Sequence, residues 1–295
     1  MKLICPNQSL FSPEIKKKLS KKFKCNFSDL LQKSFDKVVS DHEIVLCRFS
    51  KNIKYFNNHK IRYILSPTTG TNHIDKKFLQ DKKVKIITLK NEFSFLKDIH
   101  ASSELTVLLI LYFLRKINKI KNHKKIIQIG NEISGKKIGI IGYGRIGRKV
   151  SKILGSFGAK IFFHDKKKIK NKKPLNFILK NCDIISIHIP LNTSNEKFLD
   201  KQKIDKIKKN SLLVNTSRGE IVDENYLINK LKKNKLSYAT DVISKENDSK
   251  KNKLINLELK IDNLVITPHI GGLTEESIKK TDIFILKKFL KYYGK

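Results

Sequence analysis

The sequence predicts an α/β fold with two doubly wound parallel sheets. Short runs of Ile, Val and Leu alternate with helical stretches along most of the chain, which is the order of elements in parallel sheets. A length of 295 residues favours two domains, at about 150 residues each. A glycine-rich turn at residues 142–147 joins one such run to an amphipathic stretch, as a strand is joined to a helix in this class.

Apolar runs indicate where the strands lie. In the first hundred residues, strands are predicted at 2–5, 37–39, 44–47, 62–65 and 84–89. In the rest of the chain, they are predicted at 137–141, 160–164, 184–189, 212–215, 238–242 and 264–267. Ser12 and Pro13 have the residue types of an N-cap and a first helical position. A helix that is apolar all round is predicted from 103 to about 117, and a last helix from 275.

The net charge of +36 raises the question of a nucleic-acid partner. Only six of the 63 basic residues are arginine, the residue that nucleic-acid-binding proteins use for two-point contacts. The lysines are spread along the chain and accompany an excess of Asn and Ile and few Ala, Pro and Gly. This pattern indicates a composition bias, so we expect a solvated lysine surface and no nucleic-acid partner.

Cysteine spacing and hydropathy exclude several other classes. The four cysteines are far apart and form no C-x-x-C pair, so neither a zinc site nor a disulfide framework is predicted. The longest apolar run, 107–114, is shorter than the ~20 residues of a membrane helix, and Pro6 and Asn7 interrupt any signal peptide. We therefore expect a cytoplasmic protein with no membrane partner.

The segment GYGRIG at 142–147 is a candidate phosphate-binding turn. In a G-x-G-x-x-G turn between strand and helix, the first glycine permits the turn, the second lets a pyrophosphate approach, and the third lets helix and strand pack. Asp165 follows the next predicted strand, where a carboxylate accepts hydrogen bonds from a ribose and repels a 2′-phosphate. NAD is therefore predicted as cofactor, bound by Gly142, Gly144, Arg145, Ile146, Gly147 and Asp165.

Three later segments carry a resemblance to a known family. These are VNTSRGEIVDENYL (214–227), YATDVISKEN (238–247) and ITPHIGGLTEES (266–277). With the glycine turn and with SPTTGTNHID (66–75), DIHASSEL (98–105) and DIISIHIPL (183–191), the chain closely resembles the D-isomer-specific 2-hydroxyacid dehydrogenases, and the phosphoglycerate dehydrogenases among them most. The resemblance implies an NAD-dependent oxidoreductase acting on a small D-2-hydroxyacid.

The resemblance implies catalytic roles for Arg218, Glu246 and His269. Oxidation of a secondary alcohol needs a base for the hydroxyl proton, and an imidazole exchanges protons near neutral pH. A carboxylate bound to the other ring nitrogen fixes the tautomer, and an arginine holds the substrate carboxylate in a two-point contact. The histidine and the arginine supply the electrophilic groups, so no metal is expected.

The remaining expectations also come from the resemblance. Cofactor contacts are implied at His188, Pro190, Thr216, Ser217, Asp241, Gly271 and Gly272, with Asp241 orienting the nicotinamide carboxamide. Substrate contacts are implied at Thr69, Gly70 and Thr71, and Arg48 matches a region that supplies a basic residue for phosphate. Two positions depart from the family pattern: Asn247 replaces a proline after the catalytic glutamate, and Asn195 replaces a threonine.

The resemblance further implies how the domains are arranged. A Rossmann NAD domain, about 97–273, is inserted in a flavodoxin-like substrate domain made of 1–96 and 274–295. A homodimer is expected through the apolar helix near 105–114. Two alternatives stay open: a dehydrogenase for another 2-hydroxy or 2-keto acid, and an NAD-binding regulator of the same fold without activity.

We predict that Asp165→Ser relaxes the preference for NAD. The substitution removes the carboxylate that repels a 2′-phosphate, while Lys166 and Lys167 beside it stay available to attract one. Fluorescence titration with NADH and NADPH should show tighter NADH binding by the wild type and a smaller difference in the variant. Tighter NADPH binding by the wild type would contradict the assignment.

Overall fold

The chain folds into two compact units. The computed structural model describes residues 1–119, 129–246 and 252–294. The terminal unit consists of Met1–Ile99 and Leu273–Lys295, and the central unit of His100–Gly272. That each unit is a domain with the boundaries given above stays a prediction.

The terminal unit contains a five-stranded parallel sheet. Its strands are β1 (Lys2–Cys5), β2 (Lys24–Phe27), β3 (Ile44–Leu46), β4 (Tyr63–Ser66) and β5 (Lys85–Thr88), in the order β2-β1-β3-β4-β5. This is the flavodoxin-like order. Its helices in the first hundred residues are α1 (Pro13–Ser20), α2 (Gln32–Val38), α3 (Lys76–Gln80) and α4 (Phe93–Leu96).

The central unit contains a six-stranded parallel sheet. Its strands are β6 (Lys137–Ile141), β7 (Lys160–His164), β8 (Ile184–Ile187), β9 (Leu212–Asn215), β10 (Ser237–Thr240) and β11 (Leu264–Ile266), in the order β11-β10-β9-β8-β6-β7. Its helices are α5 (Ala101–Leu114), α6 (Arg145–Ser156), α7 (Leu175–Asn181), α8 (Lys201–Asp205), α9 (Glu224–Lys232) and α10 (Lys253–Glu258). The strand order reverses at β6, where nucleotides bind in such sheets.

A last helix, α11 (Glu275–Tyr293), returns the chain to the terminal unit. Ile285 and Phe289 of α11 join Leu3 in the core on one face of the sheet, while Ile4 belongs to the core on the opposite face. The central sheet likewise has a core on each face. Both sheets are parallel and covered on two sides, so the predicted fold class is confirmed. Among the described helices, none combines the length and the hydropathy needed to span a membrane.

One predicted strand is wrong and one strand was missed. Residues 37–39 belong to the end of α2 and to the short 3-10 turn Val39–Asp41. The strand in this region is β2, whose sequence KCNF alternates exposed and half-buried residues. As an edge strand beside β1 only, it needs no continuous apolar run, and its polar sequence gave no strand signal.

The placement of Arg48 corrects its predicted role. Arg48 follows β3 and is only 3% exposed. Its guanidinium donates to the backbone oxygens of Leu10 at 2.8 Å and Pro67 at 3.1 Å, and pairs with Asp282 of α11 at 2.7 Å. These contacts connect three separate segments of the terminal unit. Because the guanidinium is buried and engaged in the core, Arg48 is not placed to bind a phosphate.

We predict that Asp282→Ala destabilises the protein strongly. The substitution leaves the Arg48 cation buried without its counter-charge, which costs about 3–5 kcal/mol in free energy of unfolding. The double variant Arg48→Met with Asp282→Leu removes both charges and should lose less stability than the single variant. Urea denaturation of the wild type, the single variant and the double variant compares their free energies of unfolding. An exposed ion pair contributes at most about 1 kcal/mol, so a single variant that lies within about 1 kcal/mol of the wild type would contradict a structural role for the pair.

Candidate active site

The residues predicted to function in the central unit gather at one edge of its sheet. Each follows the carboxyl end of a strand, and the carboxyl ends of parallel strands lie together. Gly142 follows β6, Asp165 follows β7 and His188 follows β8. Arg218 follows β9, Asp241 follows β10 and His269 follows β11.

The glycine turn has a geometry that other residues could not adopt. Gly142 has a φ of +94°, and a Cβ there would lie 2.7 Å from the backbone carbon of His188. A Cβ on Gly147, in the first turn of α6, would lie 2.1 Å from the backbone oxygen of Gly142. The first and third glycines are therefore needed for the tight turn and for the approach of the helix.

The second glycine leaves space for an anionic group. Gly144 is the N-cap of α6, and a Cβ placed on it would have no described atom within 4 Å. Arg145 and Ile146 follow it in the first helical turn, where backbone N–H groups and the helix dipole favour an anion. The open space in front of a twelve-residue helix fits the pyrophosphate of a dinucleotide.

Asp165 is fixed by the backbone on both sides. Its Oδ2 accepts the N–H of Tyr143 at 2.7 Å and its Oδ1 accepts the N–H of Lys167 at 2.8 Å. Partial burial raises the pKa of Asp165, but the two backbone hydrogen bonds, together with the charges of Lys167 and His164, outweigh it and leave the pKa below its ordinary value. Asp165 is therefore a carboxylate beside the glycine turn, as a ribose-binding residue would be.

Asp241 holds the loop that carries His269. Its side chain is buried, and Oδ1 accepts the Thr267 hydroxyl at 2.6 Å and the Ile270 N–H at 2.8 Å. Its Oδ2 accepts the N–H of Gly271 at 2.8 Å. Gly272 is the next residue of the same loop. Burial raises the pKa of Asp241, and these hydrogen bonds oppose the rise. The contact of Asp241 with the nicotinamide stays a prediction.

Glu246 and His269 form a close pair. Glu246 Oε2 lies 2.7 Å from His269 Nδ1, and the side chains are 31% and 18% exposed. His269 has a φ of +55° within the loop that Asp241 binds. Glu246 lies at the end of a loop after β10, and its Oε1 accepts the N–H of Ile243 at 3.3 Å. The residue after it, Asn247, lies outside the described residues.

Arg218 lies in the electrostatic field of this pair. Burial lowers the pKa of the Arg218 guanidinium, while the carboxylates of Glu246, Glu220 and Asp241 act in the opposite direction. Its Nη1 donates to the Ser217 oxygen at 2.6 Å, and the amide of Asn215 donates to the Arg218 oxygen at 2.9 Å. A guanidinium remains charged in proteins, so the site combines a cation, a carboxylate and an imidazole.

The remaining central residues line the same edge. The Thr216 hydroxyl lies 2.9 Å from the Thr106 hydroxyl, and the Ser217 hydroxyl donates to the Ile187 oxygen at 2.8 Å. His188 Nε2 lies 2.9 Å from the Ser186 hydroxyl, and burial lowers the pKa of His188 to about 3, so its ring is neutral. Pro190 is exposed, and the Asn195 amide donates to its oxygen at 2.9 Å.

Thr69, Gly70 and Thr71 belong to the terminal unit. They form the loop after β4, in which the Thr68 hydroxyl donates to the Gly70 oxygen at 2.8 Å. The Ile74 N–H closes the loop on the Thr71 oxygen at 2.9 Å. Their contact with substrate stays a prediction.

Sequence reasoning missed Gly219, which brings two parts of the site together. A Cβ on Gly219 would lie 2.0 Å from the backbone carbon of Ile243 and 2.1 Å from the nitrogen of Ser244. The segment that starts at Arg218 therefore packs directly on the loop that ends at Glu246. A signal existed, since glycine is scarce in this chain and this one follows the candidate arginine.

Within the described ranges, no three or more His, Cys, Asp or Glu side chains are grouped so that they could hold a metal ion. The chemistry that these residues offer is proton transfer at an imidazole, with a guanidinium nearby for an anionic substrate.

Comparison with protein families gives a match over most of the central unit. Residues 107–271 match the model of the "D-isomer specific 2-hydroxyacid dehydrogenase, NAD binding domain". A D-3-phosphoglycerate dehydrogenase of Haemophilus influenzae is 37% identical over 172 residues, which is 55% of this chain and 41% of that protein. The matched part is thus less than half of that relative's length.

Two further proteins match along the whole chain. An erythronate-4-phosphate dehydrogenase of Wigglesworthia glossinidia brevipalpis is 31% identical over 309 residues, covering 100% of this chain and 74% of that protein. The crystal structure of a D-lactate dehydrogenase of Aquifex aeolicus, complexed with NAD and lactic acid, has a TM-score of 0.81 at 20% identity and covers 100% of this chain and 96% of that one. The structural likeness supports the fold of both units.

We predict that Gly219→Ala displaces the loop that carries Glu246. The added methyl group has no space beside Ile243 and Ser244, and overpacking of this kind costs about 1–3 kcal/mol in free energy of unfolding. Gly155→Ala in α6 is the matched control, because its Cβ would have only an ordinary contact at 4.0 Å with Ile161. Urea denaturation should show a loss for Gly219→Ala and none for the control; equal stabilities would contradict the contact.

Proposed function

The chain belongs to the D-isomer specific 2-hydroxyacid dehydrogenase family, and we propose that it transfers a hydride between NAD and a D-2-hydroxyacid. The predicted family is confirmed, and at the level of the family so are the NAD cofactor and the dehydrogenase class. The observation that carries the proposal is the 2.7 Å contact between Glu246 and His269 beside Arg218, at the sheet edge that bears the glycine turn.

His269 handles the proton in this proposal. Nδ1 is bound to Glu246, so the hydroxyl proton of the substrate is taken up at Nε2. The Glu246 carboxylate fixes the tautomer and stabilises the imidazolium that forms. In the reverse direction, the same nitrogen returns the proton to the oxygen of a 2-keto acid.

Arg218 binds the carboxylate shared by all 2-hydroxyacids. Its planar guanidinium can make two parallel hydrogen bonds to a carboxylate and place a positive charge near the oxygen on C2. NAD, when bound, would supply the acceptor for the hydride that leaves C2. Gly144 and the first turn of α6 would hold its pyrophosphate, and Asp165 its ribose.

We propose D-3-phosphoglycerate as the substrate, which would make the reaction a step of serine biosynthesis. The support is the 37% identity over 172 residues to a D-3-phosphoglycerate dehydrogenase. The erythronate-4-phosphate dehydrogenase that matches the whole chain favours a second candidate, another phosphorylated sugar acid. A cytoplasmic location and a homodimer stay predictions; Leu108 of α5, 56% exposed, is available for such a contact.

The wild-type protein should reduce NAD with a D-2-hydroxyacid. The assay follows NADH absorbance with D-3-phosphoglycerate, D-erythronate 4-phosphate and D-lactate, and the highest kcat/KM is expected for D-3-phosphoglycerate. His269→Gln should lower kcat about 10²- to 10⁴-fold, the usual contribution of general acid–base catalysis, and leave NADH binding unchanged.

Arg218→Lys separates charge from geometry in the same assay. Lysine keeps the positive charge but cannot form the planar two-point contact, so kcat/KM should fall about 10- to 100-fold. If either variant keeps wild-type activity, the assigned roles are wrong. If the wild type reduces NAD with none of the acids, the proposed reaction is wrong.

A further inference from the structure

The loop that ends at Glu246 is held by side chains outside the proposed proton-transfer pair. The N–H of Ser244 donates to Oε1 of Glu224 at 2.8 Å. The oxygen of Ser244 accepts the amide of Asn252 at 2.9 Å, and the same amide lies 3.3 Å from Oε2 of Glu224. Both backbone groups of Ser244 are therefore fixed, by the first residue of α9 and by the N-cap of α10.

We infer that Glu224 is a positioning residue that sets the contact between Glu246 and His269. The inference rests on the proposed function. Only Lys245 separates Ser244 from Glu246. Its φ is +55°, a backbone conformation that residues other than glycine rarely adopt. A shift of Ser244 is thus passed directly to Glu246.

The Glu224 carboxyl is half-buried and accepts hydrogen bonds from the backbone of Ser244 and the amide of Asn252. Burial raises the pKa of Glu224, while hydrogen bonds from Ser244 and Asn252 favour the carboxylate form. A buried carboxylate is maintained where such donors satisfy it. One of these donors, the N–H of Ser244, belongs to the loop that ends at Glu246, so removal of the carboxylate leaves this N–H without its acceptor.

The charges around the pair determine the expected pH effect. Arg218 faces it from the end of β9, and Asp241 binds the His269 loop from the end of β10. Glu220 accepts the Lys245 N–H at 3.2 Å from the segment after Arg218. A carboxylate close to an imidazole stabilises the charged form of the ring, so withdrawal of Glu246 removes part of this stabilisation.

Glu224→Ala should therefore change the pH profile as well as the rate. For oxidation of the hydroxyacid, kcat should fall about 10- to 100-fold, as for a catalytic group displaced by about 1 Å, and the acidic limb of the profile should move to lower pH. NADH binding should be unchanged. Asn252→Ala, which frees the oxygen of Ser244, should shift the limb in the same direction.

Asp223→Ala is the matched control. Asp223 precedes Glu224 and caps the same helix by accepting the N–H of Tyr226 at 3.1 Å, so its loss weakens α9 without removing the Ser244 contacts. The control should lower Tm and keep the wild-type pH profile. The inference is overturned if Glu224→Ala keeps that profile, or if Asp223→Ala reproduces the shift.

An NMR titration of the His269 ring tests the inference without turnover. The titration midpoint should be lower in Glu224→Ala than in the wild type and in Asp223→Ala, and equal midpoints would overturn it. Absence of NAD reduction by the wild type would refute the proposed function alone, so the two failures are distinguishable.

Discussion

The site depends on the hydrogen bonds that the buried carboxylate of Asp241 accepts from the loop of His269. A charged group without partners would be unstable in the core, and Asp241 is stabilised by two backbone N–H groups and one hydroxyl, all from residues 267–271. The pairing of β10 with β11, with Thr240 beside Ile266, brings the two strand ends together. Asp241 thereby maintains the loop in which His269 has a positive φ, and that conformation directs the imidazole to Glu246.

The sequence was sufficient for those parts of the site that are local patterns. The glycine turn and the strand ends are such patterns, whereas Arg218, Glu246 and His269 were predicted from the resemblance of their segments to the family, and their roles stay predictions. Contacts between segments that are distant in the sequence could not be predicted from it. Arg48 was given a phosphate role from its match to a region of the family, and nothing near it in the sequence indicates Asp282, its partner 234 positions away. Gly219 and Glu224 were missed because both contact Ser244, which follows a different strand.

The distribution of cations explains why a charge of +36 is compatible with an ordinary enzyme surface. No lysine within 1–119, 129–246 and 252–294 is buried, whereas Arg48 is buried and Arg145 and Arg218 are half-buried. A guanidinium is more weakly hydrated than an ammonium group and matches planar acceptors, so it is better suited to buried positions. The chain thus places part of its small arginine content at buried or half-buried positions, while its lysines in the described ranges are half-buried or exposed.

The burial of Arg48 also bears on how substrates are distinguished. In the proposed reaction, Arg218, Glu246 and His269 would contact a carboxylate and a C2 oxygen, which phosphoglycerate, erythronate 4-phosphate and lactate all possess. With these proposed roles, the three side chains cannot by themselves select among the acids. Selection requires a group that meets the part of the substrate beyond C2, and Arg48 is excluded from that role by its pairing with Asp282. The phosphate of a phosphorylated acid must then be bound by other donors, for which the many exposed lysines provide charge and the backbone N–H groups of strand-end loops provide direction.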